Sequence, residues 1–176
     1  MSAEQICLRF ATANVLTLYP QQDHGGSFLG ARAEQLAIQF LSAGLHCIGL
    51  QETRCGYSGH QTFESFHVLS SSATARGHGG VQFWIANQIN IAHKTLKVSH
   101  EHLRIIHGDD RRLIVHLRHP QLALLFLVLH APCSDDEVEL QRWWAQTSNL
   151  IPNGYTSWTW AVLCDSNGRL GSDRKS

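Results

Sequence analysis

Four short strand-like segments follow one another in the middle of the chain, with no helical pattern between them. They comprise residues 80–86, 102–107, 112–119 and 122–130, and each carries several apolar side chains. The tripeptide His119-Pro120-Gln121 fits a tight hairpin between the last two segments. Consecutive strands with short connections are typical of antiparallel sheets. The centre of the chain therefore predicts an antiparallel meander.

The first 52 residues have a different pattern, which predicts strand, helix and strand. Apolar and polar residues alternate from residue 6 to residue 10, and this strand ends near Asn14. Residues 29–43 place apolar side chains at helical spacing, and Gly44 stands where a helix C-cap belongs. The next apolar run indicates a buried strand that ends at the carboxylate of Glu52.

A second helix and a final strand complete the predicted elements. Ser134 and Glu137 have the spacing of a capping box at the start of this helix. Its predicted buried side consists of Leu140, Trp143, Trp144 and Thr147. The segment 158–165 alternates like a strand and ends at Asp165.

The composition limits the class of protein. A chain of 176 residues with 43% hydrophobic and 16% charged residues is typical of one globular domain, here residues 1–176. Lys and Arg together number 14, as do Asp and Glu, so the charge balance does not indicate a polybasic nucleic-acid binder. A bound phosphate-rich substrate would therefore need a metal ion to supply positive charge.

The cysteines, histidines and apolar runs indicate a soluble intracellular protein. Five cysteines without a C-x-x-C pair are typical of reduced thiols. Twelve histidines include no H-E-x-x-H motif, which argues against zinc. No signal peptide is recognisable, and the apolar run of residues 122–129 is too short to span a membrane.

Polar side chains stand at the predicted ends of several strands: Asn14, Glu52, His130, and the pair Asp165 and Asn167. Strand ends in layered α/β proteins meet at one edge of the sheets, where sites form. The acid of Glu52 fits a metal ligand, a general base or a solvated loop acid. Asn14 and the Asp165–Asn167 segment also fit turns, and His130 also fits a core histidine bonded to backbone.

Five segments carry a family resemblance: ATANVLTL, IGLQETR, GGVQFWIA, LVLHAP and LCDSNGR. They follow the order found in the endonuclease/exonuclease/phosphatase (DNase I-like) superfamily. The residues of these segments are most similar to those of LINE-type retrotransposon endonuclease domains. Asn14 matches the family's first-strand Asn, and Glu52 matches its magnesium-binding Glu. Gly79-Gly80-Val81 matches the family's Gly-Gly-Val strand start, while Asp165 and Asn167 match its Asp-x-Asn motif.

This resemblance implies an α/β fold, a four-layer αββα sandwich of two mixed β-sheets flanked by helices. It also implies a Mg²⁺-dependent phosphodiester hydrolase, a DNA endonuclease domain of a non-LTR retrotransposon, with Mn²⁺ as a substitute metal. The expected partner is DNA or another phosphodiester, bound weakly, with no membrane and no small organic cofactor. For a retrotransposon protein the expected compartment is the nucleus.

The resemblance also implies a role for each site residue. Glu52, with help from Asn14, holds the magnesium ion, because Mg²⁺ prefers one or two carboxylates plus waters. Asp165 orients or deprotonates the attacking water. Asn167 and His130 donate hydrogen bonds to the phosphate, whose developing charge needs such donors.

The chain departs from the family pattern at two places. His130 stands where the family usually has Tyr before Ala-Pro or Val-Pro. The family's closing Asp-His motif has no counterpart after Asp165, so we expect a domain incomplete at its C-terminus. A missing donor of this kind lowers the rate by about two to four decades, and the missing segment should leave a sheet edge that favours self-association.

Two alternatives follow from these departures and from the shared metal chemistry. In the first, the chain is an inactive remnant that at most binds nucleic acid or a protein weakly. In the second, it is a phosphatase of small phosphorylated metabolites.

Overall fold

The computed structural model describes residues 6–18, 30–91, 94–155 and 157–167, which form two large sheets, a two-stranded sheet and two α-helices. The strands are β1 (Phe10–Asn14), β2 (Cys47–Gln51), β3 (Gly59–Phe63), β4 (Phe66–Ser71), β5 (Val81–Ala86), β6 (Gln88–Ile91), β7 (Lys94–Lys97), β8 (Leu103–Gly108), β9 (Arg112–His119), β10 (Leu122–His130) and β11 (Thr159–Asp165). The helices are α1 (Ala31–Ser42) and α2 (Glu137–Asn149), and single 3₁₀ turns lie at His100–His102 and Asn153–Tyr155.

The first sheet has the strand order β1-β2-β5-β4-β3. β1 and β2 are parallel and are joined through α1, as a parallel pair requires, whereas the other pairs are antiparallel. Helix α1 buries Ala33, Ala37 and Phe40. The Phe40 ring meets the Trp84 ring of β5 edge-on, with centroids 5.9 Å apart. Gly44 follows the helix with φ of +64°, the left-handed conformation that ends many helices.

The second sheet has the strand order β11-β10-β9-β8. Its parallel pair, β10 and β11, is joined through α2, and the other pairs are antiparallel. The predicted hairpin is confirmed, because His119 of β9 pairs with Leu122 of β10. One face of this sheet forms a buried cluster with Trp143 of α2, made up of Ile114, Leu125, Leu127, Leu129 and Ala131. Helix α2 therefore covers the outer face.

The inner faces of the two sheets pack against each other. The rings of Phe83 on β5 and Phe126 on β10 stack with centroids 4.3 Å apart. A Cβ atom at Gly49 of β2 would lie 2.6 Å from Leu163 Cβ and 3.2 Å from Val128 Cγ1, so only glycine allows this close approach. The order of layers is helix, sheet, sheet, helix. The predicted sandwich of two mixed sheets is confirmed.

Two expectations about α2 are wrong. The N-cap is Asp136, whose Oδ1 accepts hydrogen bonds from the Val138 and Glu139 amides at 2.9 and 3.3 Å, so Ser134 and Glu137 do not form the capping box. Trp143 is 9% exposed, whereas Trp144 is 38% exposed and does not belong to the buried side. Adjacent residues lie about 100° apart around a helix, so both cannot face the sheet. Neither α1 nor α2 is long and apolar enough to cross a membrane.

Four strands have no counterpart among the predicted elements: β3, β4, β6 and β7. The polar segment of β3, His60-Gln61-Thr62, lacks an alternating apolar pattern because β3 is the edge of its sheet in the described part of the chain. At the opposite side of the molecule, β11 is the last described strand of the second sheet. Its Trp160 and Val162 are 42% and 53% exposed.

Candidate active site

The polar side chains meet at the C-terminal ends of two parallel strand pairs. Asn14 ends β1 beside Gln51 of β2, and His130 ends β10 beside Asp165 of β11. Parallel strands present their carboxyl ends at the same edge of a sheet, which explains the meeting point. Beneath it, the fully buried Gln51 donates hydrogen bonds from Nε2 to Thr12 Oγ1 at 3.0 Å and to the Leu163 carbonyl at 3.2 Å. Gln51 thereby joins the two sheets under the site.

The amide of Asn14 joins the two acids. Its Nδ2 donates to Glu52 Oε1 and to Asp165 Oδ2, each at 2.9 Å. Its Oδ1 accepts the backbone amide of Leu16 at 3.1 Å, which sets the orientation of the side chain. Two carboxylates that share one amide nitrogen repel each other, and a cation placed between them relieves that repulsion.

The backbone around this amide is strained. Five described non-glycine residues have positive φ, and four of them are Leu16, Glu52, Arg54 and Asn167, with φ of 57°, 53°, 53° and 46°. All four lie within two residues of Asn14, Glu52 or Asp165. The left-handed conformation costs residues such as Leu16, Glu52 and Arg54 about 1–2 kcal/mol each, and it costs Asn167 less because asparagine adopts it more readily. Strain of this kind gathers at functional sites, where the surrounding structure maintains it.

Asp165 and Asn167 form one turn at the end of β11. The backbone amide of Asn167 donates to Asp165 Oδ1 at 3.1 Å, and Asn167 Nδ2 donates to the Ala131 carbonyl at 2.6 Å. The Ala131 amide donates to the Asp165 carbonyl at 2.9 Å. These hydrogen bonds therefore hold the Asp165 carboxylate and the Asn167 amide in one fixed turn beside Ala131.

His130 is buried, with its side chain 8% exposed, and its Nε2 lies 3.5 Å from Glu52 Oε1. Its Nδ1 is buried and has no hydrogen-bond partner among the described residues, so this ring is not bonded to backbone as a core histidine would be. Burial and then the Arg111 guanidinium lower the pKa of His130, although Glu52, Asp165 and Asp110 act in the other direction. The imidazole is therefore neutral at neutral pH and adds no positive charge beside the two carboxylates. Among the described residues, the nearest positive charge to Glu52 is the exposed Arg54 guanidinium, whose Nη2 lies 3.8 Å from Glu52 Oε2.

A cavity of about 420 Å³ opens beside these groups, and its lining consists of Glu52, His78, Gly79, Arg111, His130, Cys133 and Asn167. The Gly79-Gly80 pair shapes one wall, with φ of 77° and 82°. The Gly80 and Gly79 carbonyls accept the amides of Thr53 and Arg54 at 3.0 and 2.9 Å, which fixes the loop after Glu52. A Cβ at Gly79 would lie 2.6 Å from the Asp110 carbonyl oxygen, so the loop needs glycine there.

The structure brings together all five residues singled out in the sequence: Asn14, Glu52, His130, Asp165 and Asn167. Their roles stay predictions. Asn14 presents its nitrogen to the acids, and an N–H group is not a metal ligand. No cluster of three or more His, Cys, Asp or Glu side chains able to hold a metal occurs among the described residues.

Sequence reasoning missed three residues of the cavity lining: His78, Arg111 and Cys133. Arg111 precedes a predicted strand, and Cys133 precedes a predicted helix. No local pattern distinguishes them from ordinary loop residues. The short acidic-basic run Asp109 to Arg112 is the nearest signal that the sequence offers.

Two mixed sheets between helices, with acids and amides at the ends of both parallel pairs, define the DNase I-like fold. Among solved structures, the endonuclease domain of TRAS1, a telomere-specific non-LTR retrotransposon, is similar with a TM-score of 0.57 at 13% identity, covering 93% of this chain and 62% of that one. The catalytic domain of Xenopus laevis APE2 is similar with a TM-score of 0.52 at 13% identity, covering 90% of this chain and 58% of that one.

These likenesses confirm the expected resemblance at the level of the fold. This chain spans less than two thirds of each of the two domains. No protein-family model matches the sequence, and no curated protein matches it.

Proposed function

We propose that this chain is a Mg²⁺-dependent phosphodiester hydrolase that acts on DNA as an endonuclease. The observation that carries the proposal is the shared amide of Asn14, 2.9 Å from an oxygen of Glu52 and 2.9 Å from an oxygen of Asp165. Nothing in a solvated loop requires two acids to be held so close together. A site that places a cation and a water molecule against a phosphate does require it.

The acids present fit magnesium. Mg²⁺ binds through one or two carboxylates and keeps several waters, and it needs no larger set of protein ligands. Glu52, with its side chain 23% exposed beside the cavity, is the ligand that we assign. When bound, the ion would neutralise phosphate charge and stabilise the leaving oxygen. Mn²⁺ accepts the same oxygen ligands and should substitute.

We assign the other four residues of the site separate roles in hydrolysis. Asp165 accepts a hydrogen bond from the attacking water and orients it, or removes its proton. Asn14 keeps Asp165 and Glu52 at their spacing, which is a positioning role. Asn167 has a second amide N–H beyond the one given to the Ala131 carbonyl, and neutral His130 has one N–H. Both residues line the cavity, and we assign these N–H groups to phosphate oxygens there.

Two likenesses support DNA as the substrate and a non-LTR retrotransposon as the origin. The sequence motifs are most similar to LINE-type endonuclease domains, and the TRAS1 endonuclease domain shares the fold. The substrate and the origin belong to the proposal and are tested separately from the metal site.

The test is nicking of supercoiled plasmid by the purified chain in Mg²⁺, in Mn²⁺ and in EDTA. Glu52→Gln and Asp165→Asn remove one charge each and keep the shape of the side chain. Glu64→Gln is the matched control, because Glu64 is an exposed acid in the β3–β4 turn, away from the cavity. We expect nicking by wild type and by Glu64→Gln only with a divalent cation. We expect a loss of at least about 100-fold in the other two variants.

Equal nicking by all four proteins would identify a contaminating nuclease and refute the assignment. Phosphate release from inositol phosphates without nicking would refute DNA as the substrate and favour a phosphatase. Binding of DNA without cleavage in either metal would refute the enzyme and favour a binding module.

A further inference from the structure

The cavity beside the two acids has a second half that is rich in donors. Among the described residues that line it, Arg111 alone carries a permanent positive charge. Arg111 Nη1 lies 3.5 Å from the His130 carbonyl oxygen and 3.4 Å from the Ala131 carbonyl oxygen. The Ala131 carbonyl also accepts from Asn167. Arg111, His130 and Asn167 therefore surround one space.

The backbone of Arg111 is held tightly by Asp109. Asp109 Oδ1 accepts the amides of Arg111 and Arg112 at 2.9 and 2.8 Å, and Oδ2 accepts Arg112 Nε at 2.8 Å. Burial raises the pKa of Asp109, but hydrogen bonds from His107, Arg111 and Arg112 lower it by more, so the carboxylate stays charged. The Arg111 carbonyl accepts the His130 amide at 2.8 Å, which joins this turn to the end of β10.

The guanidinium itself is held loosely. Its two carbonyl contacts are long for hydrogen bonds, and the Asp110 carboxylate lies 3.9 Å from Nε, beyond hydrogen-bond distance. A guanidinium has five N–H donors in a planar fork that matches two oxygens of a phosphate. The Arg111 side chain is 38% exposed and lines the cavity, so a ligand there can reach its donors. A backbone held in place, together with a guanidinium that makes only long contacts, suits an arginine that binds a ligand.

We propose that Arg111 binds a non-bridging oxygen of the substrate phosphate in this cavity, beside His130 and Asn167, and that Asp109 positions it there. This inference rests on the proposed function for the identity of the substrate. The phosphate site itself is tested without any reaction. The alternative is that Arg111 has only a structural role, in which its guanidinium holds the end of β10 through the His130 and Ala131 carbonyls.

The chain contains its own reporter for an occupied cavity. Cys133 is a free, exposed thiol that lines the cavity, and Cys7 is a free, exposed thiol that does not. An anion bound at Arg111 should shield Cys133 from iodoacetamide and leave Cys7 unaffected. Alkylation of each cysteine is measured by peptide mass spectrometry, with and without inorganic phosphate at matched ionic strength.

We expect inorganic phosphate to slow Cys133 alkylation several-fold in wild type and in the control Arg118→Gln, whose exposed arginine lies near the far end of β9. Arg111→Gln should abolish the protection, and Asp109→Asn should weaken it. In the nicking assay, Arg111→Gln should raise KM by about 10- to 100-fold, because a hydrogen bond to a charged group contributes that much. Arg111→Lys keeps the positive charge but loses the planar set of donors. Its Cys133 protection and its KM should therefore lie between those of wild type and those of Arg111→Gln.

Several outcomes decide between the two proposals. Protection of Cys133 that persists in folded Arg111→Gln, or is absent in wild type, overturns this inference even if the chain nicks DNA. Protection that depends on Arg111, in a chain that never nicks DNA, supports the phosphate site and refutes the nuclease. If Arg111→Gln does not fold, Arg111→Lys decides: protection as strong as in wild type, with an unchanged KM, overturns the proposal.

Discussion

Replacing Asn14 by Asp tests the central feature of the site, the single amide that holds two carboxylates. Asn14→Ala removes two hydrogen bonds to charged acceptors at a partly exposed position, a loss of about 2 kcal/mol. Asn14→Asp removes the same bonds and adds a third carboxylate next to Glu52 and Asp165. At distances near 4 Å in a water-accessible site, each new repulsion costs about 1 kcal/mol. We therefore expect Asn14→Asp to lose about 4 kcal/mol in EDTA.

Magnesium should narrow the difference in stability between Asn14→Asp and Asn14→Ala. A site with a Kd of about 1 mM, reasonable for two exposed carboxylates, is stabilised by about 1.4 kcal/mol in 10 mM Mg²⁺. A third carboxylate that tightens the site tenfold raises this gain to about 2.7 kcal/mol. Mg²⁺ should therefore raise the melting temperature of Asn14→Asp more than that of wild type, and that of Asn14→Ala by no more than that of wild type. For a chain of this size, 1 kcal/mol corresponds to about 2–4 °C.

The assay is thermal unfolding in EDTA and in a magnesium series for wild type, the two Asn14 variants, and Asn14→Asp combined with Glu52→Gln. The double variant restores the original number of charges and should recover about half of the loss in EDTA. Equal melting temperatures for Asn14→Asp and Asn14→Ala in EDTA would show that the acids do not meet at this amide. An equal magnesium shift in every variant would show that the ion binds elsewhere.

Three further predictions concern strain, pH and association. Glu52→Gly should be more stable than Glu52→Ala by about 1 kcal/mol, because only glycine adopts a φ of +53° without strain; equal urea midpoints would contradict the strained backbone. Burial, and then His100 and His67, lower the pKa of His60 to about 4, below the value of about 6.5 in an unfolded chain. The unfolded state therefore takes up the extra proton as pH falls from 6.5 to 4, so stability drops there by about 2 kcal/mol after allowance for partial exposure. The drop should be shallower in His60→Gln, and identical pH profiles in urea titrations would refute this. Val162 is 53% exposed on β11, the last described strand of its sheet, and should promote self-association. Val162→Lys should lower the sedimentation-derived association constant relative to Val138→Lys, which changes an exposed valine of α2.

Local sequence pattern determined the layers of this protein. Strands β9 and β10 have the residue ranges that their apolar runs predict, and α1 ends before Gly44, because the apolar runs and the helix end depend on neighbouring residues. The acids Glu52 and Asp165 were recognisable for the same reason, since each comes at the end of an apolar run. The edge strand β3 was missed because half-exposed strands lack a strong apolar pattern.

Tertiary structure decided how those residues act together. The side-chain amide of Asn14 joins residues 38 and 151 positions away. No local pattern indicates whether the oxygen or the nitrogen of that amide faces the acids. The positive φ of Glu52 and the place of Arg111 beside His130 depend in the same way on loops that meet only in the folded chain. Sequence determined where the acids stand along the strands, because strand ends are local. Only packing of the two sheets decided that they share one nitrogen, and that Glu52 lines the same cavity as Arg111.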